Sequence, residues 1–292
     1  WFAESAQALL LSSDAGAISV QDWRTGERLA SHAWAAILAD DMLVDDVRGA
    51  VTVLTSGGAR VVEWNWRTDV ERILSYAGPP LESIRPYAKG DARCLLENGS
   101  GDLEVWDFDL DEQLYVIHPS DQEARWLITE SCSTRNLLAT GAADGYLRIW
   151  SAATGALVRE LGPFHPHNGD AQISDIVFSS DGMFVYAISR DARLRGWHVD
   201  SGELPVERAT HTAGHLAWVG EDHLLASAAY RGMLTLFESH GAMATRTQVA
   251  LGVQPGTFIS VCNDGKHILY GDAKSAVQLL DASWLIASSK EK

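Results

Sequence analysis

Fixed-period self-similarity settles the architecture of a chain before any local pattern does, because each repeat must be one supersecondary unit that buries its apolar faces against its neighbours. Two stretches of this sequence echo one another in that way. In one, Asp144 precedes Trp150 by six residues and Gly155 follows it by five; in the other, Asp191, Trp197 and Gly202 keep the same spacing. Outward from this pair the same place falls on Trp106, Trp64 and Gln21 upstream and on Phe237 and Leu280 downstream, at intervals of 43, 42, 44, 47, 40 and 43 residues. Trp23-Arg24-Thr25 and Trp66-Arg67-Thr68, each starting two residues after its anchor, repeat the register.

Inside a unit the apolar pattern changes every few residues, as short strands separated by turns require. In the fifth unit the pattern predicts strands over 173–178, 184–188 and 194–197, and a weak outer strand from Leu204 to Val206. Asp181-Gly182 and Asp264-Gly265 fall between first and second strands, where a tight hairpin needs residues that tolerate positive φ. Thr25-Gly26, Thr154-Gly155 and Ser201-Gly202 fall at the turn into the fourth strand. Four short strands per unit and seven units predict an all-β fold, a seven-bladed β-propeller of four-stranded antiparallel blades. The approximate blades are 1–31, 32–76, 77–118, 119–162, 163–208, 209–250 and 251–288, the last ending on an outer strand near Trp284 to Ala287.

The period, the Asp-to-Trp spacing, the Ser180-Asp181-Gly182 turn and the Gly214-His215 dipeptide resemble WD repeats. The resemblance spans nearly the whole chain and is best in units four and five. Gln21, Phe237 and Leu280 stand where the family has Trp, and Arg231 and Lys274 stand where it has the turn Asp. The resemblance implies structural roles for Trp64, Trp106, Trp150 and Trp197, large rings between blades whose indole N–H is met by a short polar side chain. For Trp150 that partner is expected to be Thr140, with Asp144 and Asp191 fixing the tight turns of their units. It also implies that the residue before the turn Asp faces a binding surface, which points to Arg190, to Ala143 and, in the sixth unit, to Tyr230.

Charge and composition narrow the function. With 46% hydrophobic and 21% charged residues, the chain reads as a folded, soluble, cytoplasmic protein. No apolar run reaches the roughly 20 residues that span a bilayer, and no signal peptide opens the sequence. A net charge of −16 disfavours nucleic acid, whose affinity rests on Lys and Arg displacing counterions. Cys94, Cys132 and Cys262 lie far apart, the pattern of reduced buried thiols rather than of a zinc site or disulfide framework.

Motifs for a phosphate-cradling loop, a zinc peptidase and a nucleophile elbow are absent, and no cofactor or metal is expected. His165 and His167, with His211 and His215, have ligand-like spacing but read as structural. Ser12, Asp14 and Gly16 read as a turn. Asp40, Asp41, Asp45 and Asp46, like Asp109, Asp111 and Glu112, lack a calcium-loop spacing and read as solvated loops. Asn98-Gly99-Ser100 matches a glycosylation sequon without a secretory signal. The expected function is therefore a non-catalytic scaffold that binds a partner protein or peptide on one face, with no nucleic acid and no membrane. Trp1 as first residue is read as the start of a piece of a longer polypeptide. That allows an alternative drawn from the family, a ligand-sensing, autoinhibitory arm downstream of a STAND-type signalling ATPase. A propeller enzyme with substrate in its central channel is the remaining alternative, and no repeated charged residue marks such a channel.

Overall fold

The computed structural model describes residues 2–281 except 4–7, 13–16, 23–24, 26, 34–38, 46, 56–59, 89, 119–125, 165–171, 211–213, 220–222, 229–232, 239–244, 251–255, 262–266 and 273–276. The chain divides into two compact units, 1–122 and 123–292. The first unit carries β1 (Phe2–Ala3), β2 (Ala8–Ser12), β3 (Ala17–Asp22), β4 (Arg28–Ala33), β5 (Ala39–Asp45), β6 (Ala50–Thr55), β7 (Val61–Asn65), β8 (Val70–Ile73), β9 (Leu81–Pro86), β10 (Arg93–Asn98), β11 (Leu103–Asp107) and β12 (Glu112–Ile117). The second carries β13 (Trp126–Cys132), β14 (Leu137–Ala142), β15 (Leu147–Ser151), β16 (Leu157–Leu161), β17 (Ile173–Phe178), β18 (Phe184–Ser189), β19 (Arg193–His198), β20 (Val206–Ala209), β21 (Leu216–Val219), β22 (His223–Ala228), β23 (Met233–Glu238), β24 (Thr245–Ala250), β25 (Gly256–Val261), β26 (His267–Asp272) and β27 (Val277–Asp281). One 3-10 turn, Ser133–Arg135, is the only helical element among the described residues.

Each sheet is an antiparallel meander of consecutive strands. Among the described residues there are three four-stranded sheets in the first unit, and three four-stranded sheets and the three-stranded β25-β26-β27 in the second. The expected last strand near Trp284 lies outside the described residues. Every anchor found by periodicity occupies one place: Gln21, Trp64, Trp106, Trp150, Trp197, Phe237 and Leu280 are each the penultimate residue of the third strand of a sheet. The outer strand of the fifth sheet is displaced from the expected Leu204–Val206 to Val206–Ala209. His198 N–H donates to the Glu203 carbonyl and Gly202 N–H to the His198 carbonyl. These bonds close the turn by Glu203; Leu204 is exposed, and Pro205 has no N–H to give a ladder.

Burial explains why alternation is weak in the middle strands. β6 and β14 are buried at every position, whereas β8 is exposed at every position. A strand covered on both faces by neighbouring sheets reads as a continuous apolar run, and an outermost strand does not. The cores lie between consecutive sheets. Trp64 of β7 clusters with Ile18 and Val20 of β3, and Trp106 of β11 with Leu54 and Val61 of the sheet before it. Trp197 joins Ala139, Leu147 and Ile149 of the fourth sheet, while Phe237 joins Tyr186, Ile188 and Leu194 of the fifth. In each case the anchor ring packs toward the preceding sheet. Close approach has its own requirement at Gly141, where a Cβ would lie 2.8 Å from Ile128 and Ile173 side-chain atoms. The bare backbone lets β17 pack onto β14.

Candidate functional site

The turns between second and third strands in the fourth and fifth sheets carry the residues singled out in the sequence. In the fourth sheet, Trp150 Nε1 donates to Thr140 Oγ1 at 2.9 Å, both side chains being buried. The other indoles find different partners. Trp64 Nε1 donates to Asp69 Oδ1 at 3.0 Å and Trp106 Nε1 to Glu104 Oε2 at 3.0 Å. The residues ten before them are Leu54 and Leu96, which have no acceptor. Trp197 is buried edge-on against Phe164, with ring centroids 5.2 Å apart.

Around the two turns the sequence builds one lattice twice. Arg148 is buried in β15, donating from Nη2 to Asp144 Oδ2 at 2.7 Å and from Nε to Glu160 Oε2 at 2.9 Å. Arg195 in β19 donates from Nη2 to Asp191 Oδ2 at 2.6 Å and from Nε to Glu207 Oε1 at 3.2 Å. Arg148 and Glu160 are direct cross-strand partners, as are Arg195 and Glu207. The Asp side chain also fixes the turn: Asp144 Oδ1 accepts Tyr146 N–H at 2.9 Å and Asp191 Oδ1 accepts Arg193 N–H at 3.1 Å. This Asp, Arg, Glu set was missed in the sequence, although the same steps of four and twelve residues recur in both units.

The two lattices differ at one hydroxyl. Ser189 bonds both Asp191 and Arg195 Nη1, the latter at 3.1 Å. Its counterpart in the fourth sheet is the buried Ala142, and Arg148 Nη1 has no hydrogen-bond partner among the described residues. Ala142→Ser is expected to raise stability by about 1 kcal/mol by satisfying that donor. Urea denaturation of the variant beside the parent checks it, and a lower midpoint would show that the hydroxyl does not reach.

Burial would raise the Asp191 pKa, but hydrogen bonds from Arg195 and Ser189 and the Arg195 charge outweigh it and hold the carboxyl below its ordinary value. The guanidinium of Arg195 also lies 4.7 Å over the Phe164 ring. The exposed tips of the turns differ from this common frame. Arg190 is exposed, its N–H donating to the Gln172 carbonyl at 2.9 Å. Ala143, at the same place in the fourth sheet, is half-buried, and Tyr230 lies outside the described residues.

Other candidate chemistry resolves into structure. The acidic stretches read as solvated loops are acceptors between sheets. Asp41 Oδ1 takes Met42 N–H while Oδ2 takes Ile84 N–H at 3.0 Å, and Asp45 takes Val47, Arg48 and Gly90 N–H groups. Asp109 pairs with Arg48 and Arg72, both at 3.1 Å, and Asp111 holds Ser75. Asn98, of the sequon, is buried and donates to Glu104 at 2.8 Å, which leaves no room for a glycan. Burial pushes the Cys94 thiol pKa well up, and Cys132 is buried too; Cys262 lies outside the described residues. So do His165, His167 and His211, while His215 lies 3.5 Å from Asp175. Among the described residues no group of three or more His, Cys, Asp or Glu could hold a metal ion, and no helix is long and apolar enough to cross a membrane.

No family model matches the chain. Among curated proteins it is similar to apoptotic protease-activating factor 1 of Rattus norvegicus, 27% identical over 212 residues, which cover 69% of this chain and 16% of that protein. It is also similar to a WD repeat-containing protein 91 homolog of Dictyostelium discoideum, 27% identical over 154 residues, 51% of this chain and 20% of that protein. The matched stretches thus span about a fifth or less of these relatives. Among solved structures, the β-propeller domain of Cps50 (Swd1) from Myceliophteria thermophila superposes with a TM-score of 0.71 at 12% identity, covering 96% of this chain and 95% of that one.

Proposed function

From the premise that the chain is a WD-repeat β-propeller, we propose that it is a non-catalytic platform of seven blades that docks a partner protein or peptide at the turns following the second strands. One observation carries this reading. Two neighbouring sheets share the same rigid lattice of Asp, Arg and Glu, yet present Ala143 on one tip and Arg190 on the other. A fixed frame with interchangeable tips is how scaffolds place recognition on loops. Arg190, with Tyr230 at the corresponding place in the next repeat, is of a residue type that dominates interface energetics.

The test is a random peptide library displayed on phage and panned against the chain, the selected peptides then being titrated onto Arg190→Ala and Ala143→Glu. Loss of about tenfold or more in affinity on either variant, with unchanged melting, is expected. Peptides that bind both variants as tightly as the parent place docking elsewhere.

The rat relative's length, of which the match spans 16%, favours a second reading in which this platform is the sensing arm of a longer signalling ATPase of the STAND type. A phosphate-binding loop upstream in the intact polypeptide is the feature that separates the two.

A further inference from the structure

The sequence sets an arginine three residues ahead of a serine at three places: Arg28 and Ser31, Arg72 and Ser75, Arg148 and Ser151. A cation at that distance is part of the charge pattern by which one class of protein kinase selects its hydroxyl. The fold treats the three serines differently. Ser31 lies inside β4, paired with Ser19. Ser151 closes β15, its N–H given to the Ala156 carbonyl and its own carbonyl taken by the Thr154 and Gly155 N–H groups. The arginine ahead of it is buried and bound to Asp144 and Glu160. Ser75 stands outside the strands. The ladder of β8 ends with Leu74 N–H on the Val61 carbonyl, and the exposed Ser75 opens a connection that runs on through the exposed Ala77, Gly78, Pro79 and Pro80. Arg72 belongs to an outermost strand that is exposed at every position, and its own side chain is 53% exposed.

In that place Ser75 also fastens two sheets together. Its hydroxyl donates to Asp111 Oδ2 at 2.5 Å and its N–H to Asp111 Oδ1 at 2.8 Å. Asp111 lies in the turn between β11 and β12 of the third sheet. The two bonds from Ser75 hold its carboxyl below the ordinary Asp value, so it is ionised at neutral pH. Asp109 of the same turn accepts from Arg72 at 3.1 Å. Serine and arginine of the motif thus grip two carboxylates of one turn. Both contacts are exposed to solvent, so little free energy holds them closed.

We propose that Ser75 is a phosphorylation site for a serine kinase that reads the arginine three residues before it, and that the modification opens the contact between the second and third sheets at this point. Ser75 Oγ attacks the γ-phosphorus of a nucleoside triphosphate held by the kinase. The new O–P bond forms as the bond to the β-phosphate oxygen breaks, the nucleoside diphosphate leaves, and the hydroxyl proton passes to the kinase's base. Asp111 then loses a donor and faces a phosphate of charge about −1.5 to −2. Repulsion parts the two, and Arg72 exchanges Asp109 for the phosphate, leaving Asp109 to Arg48. Neither Ser75 nor Arg72 is part of the docking face proposed above.

The test uses the whole folded chain, ATP and the catalytic subunit of cyclic-AMP-dependent protein kinase, with the modified residues located by peptide mass spectrometry. Phosphate is expected at Ser75 and not at Ser31 or Ser151, and Ser75→Ala should remove it. Arg72→Ala should slow its incorporation about tenfold or more, which separates reading of the motif from mere exposure of the hydroxyl. The phosphorylated chain is expected to melt about 2–4 °C below the unmodified one. That drop should be smaller in Asp111→Asn, whose amide carries no charge to repel, and phosphatase treatment should reverse it. A folded chain that takes no phosphate at Ser75, or takes it at Ser31 or Ser151 instead, overturns the site. Incorporation at Ser75 at an equal rate in Arg72→Ala overturns the kinase class. Melting unchanged by phosphate at Ser75, or lowered equally in Asp111→Asn, overturns the opening of the contact.

Discussion

Trp150→Ala is expected to cost about 3–5 kcal/mol of folding stability. The ring is 7% exposed at the end of a strand whose other apolar residues are wholly buried. Its removal leaves a cavity, and it strips Thr140, itself fully buried, of the indole donor at 2.9 Å. The two contributions can be separated. Trp150→Phe combined with Thr140→Val removes the hydrogen bond together with both of its polar groups, retains most of the apolar volume, and should cost clearly less. Chemical denaturation of both variants beside the parent is the measurement. An unchanged midpoint for Trp150→Ala would mean that the ring does not support the packing of this sheet.

Asp191→Ala is expected to destabilise by about 3–5 kcal/mol, because it leaves the buried Arg195 guanidinium without its nearest counter-charge. Arg195 is 5% exposed and keeps, as hydrogen-bond partners among the described residues, the partly exposed Glu207 and the Ser189 hydroxyl. Replacing both ends, Asp191→Leu with Arg195→Met, should recover much of the loss, since an apolar pair of similar volume needs no desolvation. A double-mutant cycle from urea melts measures the coupling. The dependence on pH has a definite sign. Asp191 has a folded pKa below its unfolded value. Its ionisation therefore stabilises the fold above about pH 4, the ordinary Asp range, and that stabilisation disappears as pH falls through the folded value. The gap between parent and Asp191→Asn should be full at neutral pH and shrink in acid. A gap that grows on acidification would contradict the assignment.

What the sequence disclosed follows from the physics of repeats. The period was visible because a third strand buried against a preceding sheet demands a large side chain at one place, and Phe237 serves where Trp is absent in the sixth sheet. The Thr140 partner was visible because a hydroxyl stands ten residues before Trp150. Nothing local foretold that Trp64 and Trp106 would use Asp69 and Glu104. The outer strand was misplaced at Leu204 because that apolar side chain is exposed ahead of the strand, which starts at Val206. Carboxylates such as Asp41 and Asp109 looked solvated because each binds a group far off in sequence, 43 residues away for Asp41 and 61 for Asp109. Arg190 was singled out through resemblance, while the pairing of Arg195 with Glu207 emerged only when the third and fourth strands set them opposite each other.

The cross-sheet carboxylates bear on how the molecule breathes. Asp41 receives its own sheet's Met42 N–H on one oxygen and Ile84 N–H of the next sheet on the other; Asp175 does the same with Ile176 and Leu216 N–H groups at 2.9 and 2.8 Å. One side chain thus closes a backbone account in two sheets at once. When the first strand of the leading sheet frays, an inner amide of the following sheet loses its acceptor in the same event. Opening is then shared between neighbours rather than confined to one meander, and the smallest cooperative element in these regions is a pair of sheets.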